Sequence, residues 1–411
     1  MALSTENLPQ QIREFKTALK LQAPDYKARF ADVTNAMETE IERIQRAELN
    51  GSAIPQFAYS DIAGTGFNDE QKQQVLKAGC CIIRGTLPEA EVTSHNEKLS
   101  RYIVENGYYE HTPTVEDNYF SQLNSDKPQI FGLYWSPAQI WARQHPNMAT
   151  TRRHLNHLWT WKDGDQTFFN PDLEASYADR VRRREPGDAT LGLSPHVDSG
   201  SIERWIEPHY REVYHDVFQG DWHNYRAFHG ANRIDVEEFP SPAVCSVFRT
   251  FQGWVALTPQ GKGDGTLQMV PSTLAMPYML LRAIQDDVPE DDLCGAAPGR
   301  ALTVSAQWHP LLLEGLVSIP KMQPGDTVWW HPDTIHAVED KHNGDGFSNV
   351  LFIGAAPDCE KNRQFLVKQR QAFLAGESCP DFAPEHHERT YSGRATEADL
   401  SPLGRQQMGF D

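Results

Sequence analysis

Through the first fifty residues apolar side chains recur every three or four positions: Ile12, Phe15 and Leu19, then Val33, Met37, Ile41 and Ile44. That spacing puts each set on one helical face and predicts two helices, the second ended by Asn50-Gly51. Neither stripe sustains heptads, so both read as a packed N-terminal layer. The period changes at Cys80 to Ile83, a short β-rich run ahead of a turn, and becomes helical again at Val92, Leu99 and Ile103. Residues 128–161, with Trp135, Trp141, Trp159 and Trp161, predict a helical layer lying on a sheet.

From about residue 180 short strands replace helices: "ATLGLSPHVD", "VCSVFRTFQGWVALTP", "GTLQMVP", "ALTVSAQW", "GLVSIPKM", "DTVWWH" and "SNVLFIGAAP", separated by Gly, Pro and Asp turns. Many short strands at turn-punctuated intervals argue for a sandwich or barrel, not a parallel α/β sheet. Residues 360–375 return to a helical pattern, and the tail from about 380 reads as an irregular surface wrap. The expectation is one elaborated domain of mainly β structure with α layers. It comprises a helical layer (1–75), a mixed support (76–180), a β core (181–357) with a lid-like insertion at 199–243, and a C-terminal helix and tail (358–411).

Charge narrows the partners. The 411 residues carry 38 Lys and Arg against 56 Asp and Glu, a net −18, which repels nucleic acid and anionic membranes and makes a highly anionic substrate less favoured. The chain begins with a polar, mixed-charge stretch and has no apolar run of membrane-spanning length, so a cytoplasmic protein is expected. Six cysteines without a C-x-x-C pair predict reduced thiols.

The candidate chemistry lies in two segments. In "SPHVDSG", His196 and Asp198 are two residues apart in an extended run, so both side chains leave one face and can converge on an ion. With a histidine from another strand they would complete a two-His, one-carboxylate site that leaves positions open for substrate and oxygen. "PGDTVWWHPDTIHAVED" supplies two candidates, His331 and His336. His331-Pro332-Asp333 is a second H-x-D, but its proline and Pro-Asp turn break the shared face. Strand logic alone leaves either histidine open as the ligand. The run "RVRRRE" at 180–185 reads as a solvated or locally paired charge run, the histidines of the insertion as exposed, and His386-His387 as surface.

"PHVDSG", "QGWVALTPQGKGDGTLQMVPST" and "PGDTVWWHPDTIHAV" together resemble the Fe(II)/2-oxoglutarate-dependent oxygenases of the phytanoyl-CoA hydroxylase type. "GLSPHVDSGSIERW", "CSVFRTFQGW" and "VKQRQAFLAG" are closer still to the YbiU-like family of bacteria and fungi, a branch of that superfamily without an assigned reaction. The resemblance implies a double-stranded β-helix, a jelly-roll or cupin-like barrel flanked by helices, with His196, Asp198 and His336 as iron ligands and His331 outside them. It implies Fe(II), 2-oxoglutarate and O2 as cofactor and cosubstrates, and hydroxylation of a small organic substrate.

One feature departs from that pattern. Such enzymes usually hold the far carboxylate of 2-oxoglutarate with a basic residue on the strand after the distal histidine, and "GFSNVLFIGAAP" has none. Arg249 is the first replacement, although strict alternation puts it on the face opposite Gln252 and Trp254. Arg204 is second and Lys341 third. Ser348 and Gln252 are candidate hydrogen-bond donors to the cosubstrate and Trp254 a candidate wall. A cupin-type metal enzyme that does not use 2-oxoglutarate, a zinc hydrolase and a non-catalytic ligand-binding barrel are the competing classes. The oligomeric state is not readable from the sequence.

Overall fold

The computed structural model describes residues 5–110, 128–191, 194–241 and 244–410. Residues 192–193 of the "ATLGLSPHVD" run and 242–243 at the end of the insertion lie outside these. In chain order the strands are β1 Gln56–Ala58, β2 Cys80–Arg84, β3 Ile130–Phe131, β4 Lys162–Asp163, β5 Gln166–Thr167, β6 Asn170–Ala175, β7 Val181–Arg184 and β8 His196–Val197. They continue with β9 Phe251–Ala256, β10 Leu267–Met269, β11 Leu302–Thr303, β12 Val317–Ser318, β13 Thr327–Trp330, β14 His336–Val338 and β15 Ser348–Asp358.

An eight-stranded sheet runs β1-β2-β13-β9-β15-β7-β3, with β6 added to β15, and a five-stranded sheet runs β11-β8-β14-β10-β12. Alternation sorts the larger sheet. Ile82, Trp254, Val328, Trp330 and Val350 face the smaller sheet and meet Leu267 and Met269 of β10. Cys81, Ile83, Val255, Trp329, Leu351 and Ile353 face the other way, onto Val75, Val92, Leu99 and Leu155 of the flanking helices. The outer side of the smaller sheet is covered by the expected N-terminal helices, Leu8–Gln22 and Tyr26–Leu49, whose Ile12, Leu19, Val33, Met37, Ile41 and Ile44 are buried.

The fold is thus mixed helix and sheet: two open sheets face each other, and no closed barrel forms among the described residues. Three local expectations need correction. The insertion is a helical layer, with Glu203–Ile206, Pro208–Val213 and His215–Phe218, and its Trp205, Tyr210, Tyr214 and Trp222 are buried with the N-terminal helices. Of its four histidines, His215 and His223 are exposed as expected, but His209 and His229 are half-buried. The tail is no loose wrap: buried Glu388 accepts from the Tyr134 and Trp135 amides and from the Tyr102 hydroxyl, and Pro402–Gln407 is helical. Within "RVRRRE", Val181–Arg184 is strand β7, and its ladder to β15 buries Arg182 and Arg184 instead of leaving them solvated, whereas Arg180 is locally paired, with Asp179 at 3.2 Å. All six cysteines are free thiols. Among the described residues no helix is long and apolar enough to cross a membrane.

Candidate metal centre

β8 and β14 are antiparallel neighbours, and their ladder sets His196 directly opposite His336. The imidazole centroids are 4.3 Å apart. Asp198, two residues on, follows the end of β8 and returns to the same side, with its Oδ1 3.9 Å from His336 Nε2. Candidate ligand atoms of His196, Asp198 and His336 all lie within 4.8 Å of one another. Both imidazoles are oriented alike. Nδ1 of His196 donates to the Ser194 carbonyl at 2.9 Å and Nδ1 of His336 to the Thr334 carbonyl at 3.1 Å, which fixes the tautomer and leaves each Nε2 with its lone pair for a ligand.

The charge states suit a cation. Burial, with His336 alongside, pushes the His196 pKa down to about 4, so the ring is neutral at physiological pH. Burial would raise the Asp198 carboxyl, but His336, Arg249, His196 and the Trp330 N–H outweigh it and keep the group ionised below its usual value. That N–H donates to Asp198 Oδ2 at 3.3 Å. Two imidazoles, each with its Nε2 unused by the protein, and one carboxylate on one side of a cavity form a donor set that fits Fe(II), and also Zn(II).

His331 has different work. It is fully buried and stacked on Trp159 at 4.8 Å. Its Nε2 donates to the Ala227 carbonyl at 3.0 Å, and its Nδ1 accepts from the Asp333 amide at 2.9 Å. Neither nitrogen is left for a metal.

The loop between the histidines is tied to the H-x-D turn. Asp333 Oδ1 accepts from Arg204 at 2.6 Å and Tyr214 at 3.1 Å, and Oδ2 from Arg233 and Tyr225, both at 3.0 Å. Arg204 also donates to the Asp198 carbonyl at 2.6 Å, and the Asp198 amide donates to the Pro332 carbonyl at 3.1 Å. Ser199 adopts a left-handed conformation with φ of 63°, which few side chains tolerate, and the Tyr210 hydroxyl holds its carbonyl. Arg204, expected at the cosubstrate, is therefore committed to Asp333 and the ligand turn.

The triad opens on a cavity of about 140 Å³ whose walls include Arg182, Arg249, Gln252, Trp254, Leu267, Trp330, Val338 and Phe352. At about 10–15 Å³ per water it has room for about ten waters, the space of small organic acids. Gln252, Trp254 and Arg249 share the wall because Arg249 precedes β9, where strand alternation does not apply. Arg249 crosses above Gly354, where a Cβ would lie 3.2 Å from its Cδ. Ser348 is elsewhere, donating to Gln260 at 2.7 Å, and Lys341 does not line the cavity, nor does any described residue of the insertion. Sequence reasoning missed Arg182. Its signal was the arginine at every second position of 180–184.

The comparisons with known proteins agree with the resemblance read from the motifs. The Escherichia coli K12 protein YbiU is 43% identical over 403 residues, 97% of this chain and 96% of its own. A crystal structure from Salmonella typhimurium LT2 is 40% identical with a TM-score of 0.94, covering 99% of this chain and 98% of that one. The Candida albicans GlcNAc Inducible Gene 2 protein is 28% identical with a TM-score of 0.80, covering 97% and 89%. Matched over residues 6–410 by the Gig2-like family model, the chain belongs to the Gig2-like family.

Proposed function

We propose that this chain is a non-haem Fe(II)- and 2-oxoglutarate-dependent dioxygenase acting on a small organic substrate, and that its facing sheets are a double-stranded β-helix. The fold reading is supported by the way β7, β8, β9 and β10, and again β13, β14 and β15, alternate between the two sheets. The observation that carries the functional reading is the convergence of His196, Asp198 and His336 at the wall of a cavity. Iron held there would supply the redox chemistry that couples O2 to oxidation of a 2-oxo acid. The chain holds the cosubstrate and limits water.

The missing cation has a candidate on the neighbouring strand. β15 carries no Arg or Lys, but its inward Val350 pairs with Arg182 of β7. The Arg182 guanidinium lies 5.7 Å from the Trp254 ring centroid, and its hydrogen bond is a long one, 3.4 Å to the Gly265 carbonyl. Burial, with Arg184 nearby, lowers its pKa to about 9, and a bound carboxylate would relieve that desolvation. Between it and the triad, Trp254, Leu267, Val338 and Phe352 offer apolar walls to the methylenes of a dicarboxylate. We therefore assign the far carboxylate to Arg182 in place of Arg249.

The test is anaerobic binding of 2-oxoglutarate to the Fe(II)-loaded chain. Arg182→Gln should weaken it roughly 10- to 100-fold, the loss of one charge-assisted pair, with iron still bound. If Arg249→Gln weakens it instead, the assignment returns to Arg249; if the wild type binds no 2-oxoglutarate, the dioxygenase reading fails.

A further inference from the structure

The cavity holds a second guanidinium without a hydrogen-bonded counter-ion, and it sits at the level of the metal ligands. Trp330, which reaches Asp198, pairs with Gln252 on β9, and Gln252 pairs with Gly354 on β15. Arg249 lies over Gly354. Arg182 is level with Val350, four residues further along β15, or about 13 Å at a rise of about 3.3 Å per residue. The two arginines therefore serve different parts of the cavity, and one small dicarboxylate at the metal does not need both.

Arg249 is 3% exposed, and its Nε and Nη2 are buried without a hydrogen-bond partner among the described residues. Cys245, Asp198, Tyr177 and Asp179 raise its pKa against the effect of burial, but the two carboxylates among them are both committed. Asp198 belongs to the metal set, and Asp179 accepts from Arg180 Nε at 3.2 Å and from Gln252 Nε2 at 3.1 Å. A buried guanidinium in this state favours an incoming anion, and its planar fork suits a carboxylate.

Gln252 adds a second requirement. Because its Nε2 donates to a carboxylate, which only accepts, the orientation of the amide is fixed. Its Oε1 then stands beside Arg249, buried and without a donor. A ligand filling this corner brings an anion for Arg249 and an O–H or N–H for Gln252. Building on the dioxygenase reading, we infer that the substrate is a small hydroxy- or amino-carboxylic acid whose carboxylate is held by Arg249 beside the metal. The negative net charge of the chain does not oppose this, because the local wall is basic.

The experiment is anaerobic calorimetry on the full chain loaded with Fe(II) and saturated with 2-oxoglutarate. Glycolate, lactate, malate and serine are each titrated against the corresponding primary amide. At least one acid should bind roughly tenfold or more tightly than its amide. That preference should vanish in Arg249→Gln, return in part in Arg249→Lys, and survive in Arg182→Gln. The same titration into the metal-free chain reads Arg249 even where the dioxygenase reading fails, since that failure shows separately as an absent 2-oxoglutarate complex. Equal binding of acids and amides, no acid binding at all, or a preference lost in Arg182→Gln but kept in Arg249→Gln overturns the inference.

Discussion

Asp333→Asn is the most informative single substitution, because it removes one charge and little volume from the network that joins the two ligand segments. Asp333 accepts four hydrogen bonds, two of them from the buried guanidinium groups of Arg204 and Arg233. An amide at this position leaves both cations without their carboxylate and presents an N–H to a donor. Breaking a buried ion pair by removing one partner costs about 3–5 kcal/mol. At about 2.1 cal/mol/K of unfolding entropy per residue, a 411-residue chain unfolding as one unit loses about 3–6 °C in Tm. Burial would raise the Asp333 carboxyl, but Arg233 and Arg204 hold it well below the usual range. A depressed folded pKa contributes stability that is complete above the unfolded value, near 3.9, and is lost as pH falls through the folded one. The deficit should therefore be constant from about pH 5 to 8 and shrink below about pH 4. Because Arg204 also holds the Asp198 carbonyl and Asp333 lies three residues before His336, metal affinity should fall with stability, by about 10- to 100-fold. Thermal melts across pH and a metal titration check both. A variant that melts with the wild type would show that the network does not hold the loop.

Other substitutions separate ligands from supports. His336→Ala should abolish iron binding measured by equilibrium dialysis, whereas His331→Ala should keep it and lose about 1–3 kcal/mol of stability in a denaturant titration, since it orphans the Ala227 carbonyl and the Asp333 amide. Trp330→Phe removes the N–H on Asp198 Oδ2 and should weaken metal binding roughly tenfold or more with little change in Tm. Gly354→Val puts side-chain atoms where Arg249 Cδ and Gln252 Oε1 now pack; it should abolish the preference for acids over amides while the iron remains bound.

What could be read from the sequence was what depends on local geometry. His196-x-Asp198 was legible because positions i and i+2 of an extended run share a side, and His331 was separable from His336 because a resemblance, not periodicity, distinguished them. Helix faces such as Val33, Met37, Ile41 and Ile44 followed from spacing alone. What stayed hidden depends on pairing across the chain. Arg204 looked available beside Asp198, but its partner Asp333 is 129 positions away. Arg182 looked solvated because four arginines in five residues suggest a surface, and only the ladder with β15 turns the alternate ones inward. Arg249 was in conflict with Gln252 only under the assumption that the strand had already begun.

The dioxygenase reading requires that the triad hold iron and that the cavity hold a 2-oxo acid against it. The most direct measurement is an anaerobic titration of 2-oxoglutarate into the Fe(II)-loaded chain, followed by the weak visible charge-transfer band of an iron-bound 2-oxo acid. The dioxygenase reading predicts the band in the wild type and in His331→Ala, and its loss in His336→Ala. Iron binding with no band in the wild type contradicts it and leaves a metal site that serves another chemistry.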